Sequence, residues 1–150
     1  MTHYKITVRV YQTHPGNGFF RVVEKTVWNY AGGGTWDEVN DTHVLNMGGS
    51  GTSGILRFKN DKTGEDVCVA VGVHNYKRWG DVVTGLKDGL TATVIQGQYY
   101  LEPNDRGRWA AREAQRADYS VTSFAPSTRK WQVKYTVTEG EDLKADIIIF

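Results

Sequence analysis

Two strings in this 150-residue chain carry ordered chemistry: Gly48-Gly49-Ser50-Gly51-Thr52-Ser53-Gly54 and Gly72-Val73-His74-Asn75-Tyr76. Gly49–Gly54 matches G-x-G-x-x-G. A dinucleotide site needs a strand before that pattern and a helix after it, so that the pyrophosphate meets the helix N-terminus. Ile55-Leu56-Arg57-Phe58 follows instead and reads as a strand, so the context is wrong. No Gly-Lys-Ser/Thr follows the glycines, which removes a P-loop. A hydrolase would draw on Ser50 or Ser53 with His74 and Asp81. The nucleophile elbow G-x-S-x-G is absent.

Metal and thiol chemistry fare no better. His3, His14, His43 and His74 show neither H-x-x-x-H nor H-E-x-x-H spacing, and no D-x-D-x-D-G loop offers a calcium cage. No metal and no cofactor is therefore expected. The single cysteine, Cys68, lies in Asp66-Val67-Cys68-Val69-Ala70-Val71 and reads as a small buried residue, without an electropositive neighbourhood to activate it.

What remains are glycines beside Ser, His and Asn. They can supply the positive φ of a turn and nothing more, which is the better reading of the string alone. They can equally let a ligand touch backbone N–H and C=O groups. Sugars suit such a site, because each hydroxyl both donates and accepts and an aromatic ring can cover the apolar C–H face.

The elements that would position these groups are mostly strands. Tyr4, Ile6, Val8 and Val10 alternate, as do Val67, Val69, Val71 and Val73, and Trp131, Val133, Tyr135 and Val137. Further strands are expected at Phe19–Trp28, Val44–Met47, Ile55–Phe58, Thr91–Gln98 and Ala145–Phe150. Gly-, Asn- and Asp-rich turns separate them. Trp79, Val82, Val83 and Leu86 fall at i, i+3, i+4 and i+7, which predicts an amphipathic helix over 76–86. Asp105–Asp118, rich in Ala, Arg, Glu and Gln, predicts a second helix. The expected whole is a β-sandwich with a helical insertion, one domain over 1–150.

Composition narrows the function. Charged residues make up 23% and apolar residues 39%, a folded globular profile. Lys plus Arg is 18 against 17 for Asp plus Glu, a net +1, and no basic face stands out for nucleic acid. The Arg106–Arg116 cluster reads as a solvated helix face. Aromatic content is 12%, with five Trp and eight Tyr, enough to spare rings for a ligand. Met1-Thr2-His3-Tyr4-Lys5-Ile6 holds no apolar signal core, so a cytoplasmic location is expected.

At several strings the chain resembles the fungal fruit-body lectin family: Ile6–Thr13, Gly33-Gly34-Thr35-Trp36-Asp37, Met47–Gly54, Gly72–Trp79 and Tyr135–Gly140. The resemblance covers nearly the whole chain. It implies an actinoporin-like β-sandwich of two sheets joined by a helix-loop-helix, and a homotetramer binding glycans and glycoproteins at two different sites per subunit. One site would take galactose-type sugars, Galβ1-3GalNAc (the T-antigen disaccharide) and GalNAc. It carries over onto Ala31, Ser50, Gly51, His74 and Asn75, with Gly32 where the family commonly has Asn. The other would take N-acetylglucosamine and carries over onto Asp81, Val82, Thr84, Arg108 and Tyr119. Asp81 and Thr84 would share a face of the first helix. Arg106 competes with Arg108 for the arginine, because about three extra residues precede Arg108. Defence against fungus-feeding animals is the biological role such a resemblance implies. The rival from the same fold type is a membrane-active pore former. That rival needs an amphipathic N-terminal helix, where residues 4–11 alternate as a strand.

Overall fold

A computed structural model describes residues 3–101 and 106–150. Met1, Thr2, the expected helix start Asp105 and the side chain of Arg106 lie outside what it describes. Among the described residues, ten strands form two sheets. The larger has the order β3 (Gly34–Val39), β4 (Thr42–Met47), β1 (Tyr4–Gln12), β10 (Asp142–Ile149), β9 (Arg129–Val137), β8 (Asp118–Ser123). The smaller has the order β2 (Arg21–Trp28), β5 (Ser53–Lys59), β6 (Asp66–His74), β7 (Lys77–Val83). β1 sits in the middle of its sheet, antiparallel to β4 and parallel to β10.

The alternating residues behave as the sequence dictates. Ile6, Val8, Val69, Val71, Trp131, Val133 and Ile147 turn inward and fill the space between the sheets. Full burial of side chains of this size stabilises by about 1.5–3 kcal/mol each. Tyr135 Oη crosses the gap and donates to Trp79 O at 2.7 Å, so the one polar group on that buried ring is satisfied.

A second core lies on the outer face of the smaller sheet. There Ile55, Cys68, Ala70, Trp79 and Val83 pack under two helices, α1 (Ala92–Gln98) and α2 (Arg106–Glu113), through Ala92, Ile95, Tyr99 and Ala111. Cys68 is buried here, and burial pushes its thiol up to about 12, which makes it inert.

That second core overturns two expectations. Residues 77–83 form strand β7, not a helix. Both faces of β7 are buried, one between the sheets and one under the helices, so apolar residues fall at every spacing and imitate a helical period. Residues 92–98 form helix α1, not a strand. Thr91 caps it, its Oγ1 accepting from Val94 N at 3.3 Å. The buried residues Ala92, Ile95, Gln96 and Tyr99 repeat at i, i+3, i+4 and i+7, which outweighs the β-branched Thr93, Val94 and Ile95. The second expected helix is present but ends at Glu113, and β8 follows. α1 and α2 are the two helices of the expected helix-loop-helix, and both pack on the sandwich.

Candidate functional site

Three chain segments far apart in sequence meet at one end of the sandwich. They are the loop Tyr30–Gly33 after β2, the loop Gly48–Thr52 between β4 and β5, and the two-residue turn Asn75–Tyr76 between β6 and β7. Backbone bonds lock them together: Gly48 N donates to Gly33 O at 2.9 Å, and Gly51 N donates to Val73 O at 2.8 Å. Thr52 Oγ1 donates to Tyr30 O at 2.6 Å, and Tyr76 N donates to Ser50 Oγ at 2.9 Å. Ala31, Gly32, Ser50, Gly51, His74 and Asn75 are thereby gathered at the same end of the sandwich.

Local conformation explains the residue types. Asn75 and Tyr76 have φ of 47° and 65°, the paired positive values that a two-residue hairpin turn requires. Asn tolerates that region, while a bulky ring there is uncommon and is held by the Ser50 bond. Gly51 has φ 103°, and a Cβ on it would stand 2.3 Å from Tyr30 Cδ1, so only glycine lets this backbone lie against that ring. Tyr30 and Tyr76 remain 62% and 76% exposed. The sequence reading named Tyr76 within its second string but placed neither ring among the site residues. Their signal was available, since each adjoins a residue already singled out.

The polar groups here have capacity to spare. Ser50 Oγ accepts from Tyr76 N, which leaves its own proton to donate. His74 Nε2 lies 3.2 Å from Glu113 Oε2 on α2 and 3.3 Å from Asn75 Nδ2. A carboxylate only accepts, so Nε2 bears the proton and donates to Glu113, and the Asn75 amide hydrogens stay available. Burial tends to raise the Glu113 carboxyl, but bonding to His74 and the charge of Arg112 outweigh it and hold the carboxyl below its ordinary range. Glu113 is a further participant that sequence reading did not place in the site. It is 39 residues from His74, with no local pattern to mark it.

The second expected group lies on β7, α2 and β8. Asp81 is 1% exposed. It accepts from Tyr99 Oη at 2.7 Å and from Arg108 Nη1 at 3.3 Å. Burial raises its carboxyl above the ordinary Asp value, against the Tyr99 hydrogen bond and the Arg108 charge. Arg108 keeps 27% of its side chain exposed, so it carries the reach that Asp81 lacks. Tyr119, on β8, is half-buried with the Arg116 guanidinium 4.5 Å from its ring centre. β7 and β8 are edge strands of opposite sheets that meet on the same side of the sandwich.

Three expectations for this group need correction. Asp81 and Thr84 do not share a helix face, because β7 is a strand and Thr84 falls just past its end. Val82 points into the core between the sheets, so only its backbone faces the Asp81 carboxylate. Arg108 and Arg112 of α2 are not on a solvated face: their side chains are 27% and 14% exposed, and Arg112 stacks 4.8 Å from the Tyr100 ring centre, which itself lies flat on Trp28.

The hydrolase constellation is not assembled. Ser53 is buried with its Oγ 2.6 Å from Tyr100 Oη, Ser50 Oγ accepts from Tyr76 N, Asp81 is committed to Tyr99 and Arg108, and His74 faces Glu113 rather than Asp81. Among the described residues, no three His, Cys, Asp or Glu side chains group as metal ligands, and no helix is long and apolar enough to cross a membrane.

Comparison with known proteins converges. The family model described as fungal fruit body lectin matches residues 1–147. Boletus edulis lectin, from Boletus edulis, is 59% identical over 145 residues, which is 97% of this chain and 97% of that protein. The solved structure of wild-type Xerocomus chrysenteron lectin is 57% identical, with a TM-score of 0.91 over 99% of this chain and 100% of its own. A methionine-substituted form of the same lectin gives 58% identity and the same TM-score, over 99% of each chain.

Proposed function

This chain belongs to the fungal fruit body lectin family and is a carbohydrate-binding lectin, and from that premise we propose that it reads two kinds of sugar at two separate sites. The first site, on Ala31, Gly32, Ser50, Gly51, His74 and Asn75, takes galactose-type sugars, Galβ1-3GalNAc and GalNAc. The second, on Arg108 with Asp81, Thr84 and Tyr119, takes N-acetylglucosamine. No bond is made or broken at either.

At the first site, the Ser50 hydroxyl and the Asn75 amide donate to sugar oxygens, while the Tyr30 and Tyr76 rings offer faces for the C–H surface. The observation that carries this reading is the Tyr76 N to Ser50 Oγ bond. It fixes two polar groups against each other while both rings stay in solvent.

At the second site, buried Asp81 orients Arg108, whose rigid fork then donates to a sugar hydroxyl or acetamide oxygen. Val82 contributes backbone alone. We assign Thr84 and Tyr119 to the rim, since both are half-buried.

The protein acts from the cytoplasm as a homotetramer, whose multiple weak sites gain strength together on a cell surface. Pore formation fits the fold less well. Residues 4–11, read against an inserting amphipathic helix, are strand β1, paired with β10 over Lys5–Gln12 and with β4 over Tyr4–Val8. A glycan array with purified protein tests the whole reading: signal on Galβ1-3GalNAc and on terminal GlcNAc is expected, and silence on both would end it.

A further inference from the structure

Beside the first site runs an open groove of about 710 Å³ that shares Gly32, Gly33 and Gly48 with its loops. We propose that this groove is a subsite for a third, uncharged saccharide residue attached to the disaccharide held at Ser50, Gly51, His74 and Asn75. The proposal rests on the galactose reading of that site.

The groove is walled by backbone where it leaves the site. A Cβ on Gly48 would stand 2.5 Å from Ala31 O, so the glycine lets the two loops close into one continuous surface. A Cβ on Gly33 would stand 3.0 Å from Asn29 Oδ1, so the missing side chain keeps the Asn29 carboxamide open to the groove. Asn29 and Thr35 line it with no side-chain hydrogen bond among the described residues, whereas Asn46 is committed to Asp37 at 2.8 Å. A carboxamide and a hydroxyl each donate and accept, which matches the hydroxyls of a sugar.

The far wall decides which sugar. Lys5 and Asp142 stand 3.2 Å apart and neutralise one another. Glu141 lines the same wall with no cation in ion-pair reach among the described residues. One uncompensated negative charge opposes a sialic acid and leaves a neutral residue untouched.

The test is calorimetry with the protein as it stands. The probes are Galβ1-3GalNAc, the neutral trisaccharides Fucα1-2Galβ1-3GalNAc and Galβ1-3GalNAcβ1-4Gal, and the charged Neu5Acα2-3Galβ1-3GalNAc. At least one neutral trisaccharide should bind about two- to tenfold tighter than the disaccharide, the gain of one neutral hydrogen bond. Asn29→Ala should remove that gain and leave disaccharide affinity unchanged. The sialylated probe should bind more weakly than the fucosylated one, and Glu141→Gln should narrow the gap. The proposal is overturned if neither trisaccharide gains, if Asn29→Ala weakens disaccharide and trisaccharide alike, or if the sialylated probe binds as well as the fucosylated one. Failure of the disaccharide itself to bind would instead bring down the galactose reading.

Discussion

Arg108 and Glu113 stand on the same two-turn helix and reach into different sites: Arg108 Nη1 lies 3.3 Å from Asp81 Oδ2, and Glu113 Oε2 lies 3.2 Å from His74 Nε2. The helix α2 therefore borders both proposed sugar sites. Its own position is set independently of either, by buried Ala111 and by the Arg112 stack on Tyr100. A ligand contacting one of these side chains has no need to move the helix, so the sites remain separable.

The buried Asp81 gives the second site a pH signature. Its carboxyl is raised above the ordinary Asp value, so it takes up a proton at a higher pH than an exposed Asp. GlcNAc affinity should fall on acidification through that range, as the anion orienting Arg108 disappears. The stability sign is the opposite. A carboxyl held more protonated in the fold than in the unfolded chain contributes most below its unfolded pKa, and that contribution is lost as pH rises through the folded value. Asp81→Asn should therefore hold or raise the neutral-pH melting temperature, weaken GlcNAc, and flatten its pH profile. A melting temperature lowered by many degrees would contradict the argument.

Gly51→Ala should disable the first site alone. The new methyl would collide with the Tyr30 ring, on a backbone at φ 103° that alanine resists. Galβ1-3GalNAc binding should drop at least tenfold while GlcNAc binding holds. Unchanged titration of both sugars by a folded variant would show that Tyr30 and Gly51 do not form the site.

How far the sequence reaches depends on what each strand packs against. β1 and β9 were legible because one face is buried and the other wet, which is what alternation reports. β7 was not, since both its faces are covered. The edge strands β3 and β8 went unread. β3 turns little more than Trp36 inward, its Nε1 donating to Thr26 O at 2.9 Å, and β8 is nowhere fully buried. For the sites, residue types marked the Ser50 and His74-Asn75 strings, but only resemblance joined them into one site, because no local spacing links Ser50 to Tyr76 across 26 residues. Glu113 needed the fold, since it lies 39 residues from His74.

Gly32→Asn has room to strengthen the first site. A Cβ there meets only Gly48 Cα, at 3.8 Å, and Asn bears the φ of 89° better than most residues. One added neutral hydrogen bond is worth about 0.5–1.5 kcal/mol, so Galβ1-3GalNAc should tighten by up to roughly tenfold. Calorimetry showing no gain would remove Gly32 from the site.

Red-cell agglutination should survive excess EDTA if both proposed sites read sugar through hydrogen bonds and rings, as no three-ligand cluster exists among the described residues. Light scattering on the same sample should give the mass of four chains. Activity lost on chelation and restored by calcium, or a monomeric mass at micromolar concentration, would count against the account.

The most direct measurement is a calorimetric titration of Arg108→Ala and Asn75→Ala, each with GlcNAc and with Galβ1-3GalNAc. Arg108→Ala removes hydrogen bonds from a charged group, about 1.5–3 kcal/mol, so GlcNAc should weaken on the order of ten- to a hundredfold. Its Galβ1-3GalNAc affinity should stay within error, as separate sites behave additively. Asn75→Ala should do the reverse. A folded variant of either kind that loses both sugars together would contradict the existence of two sites.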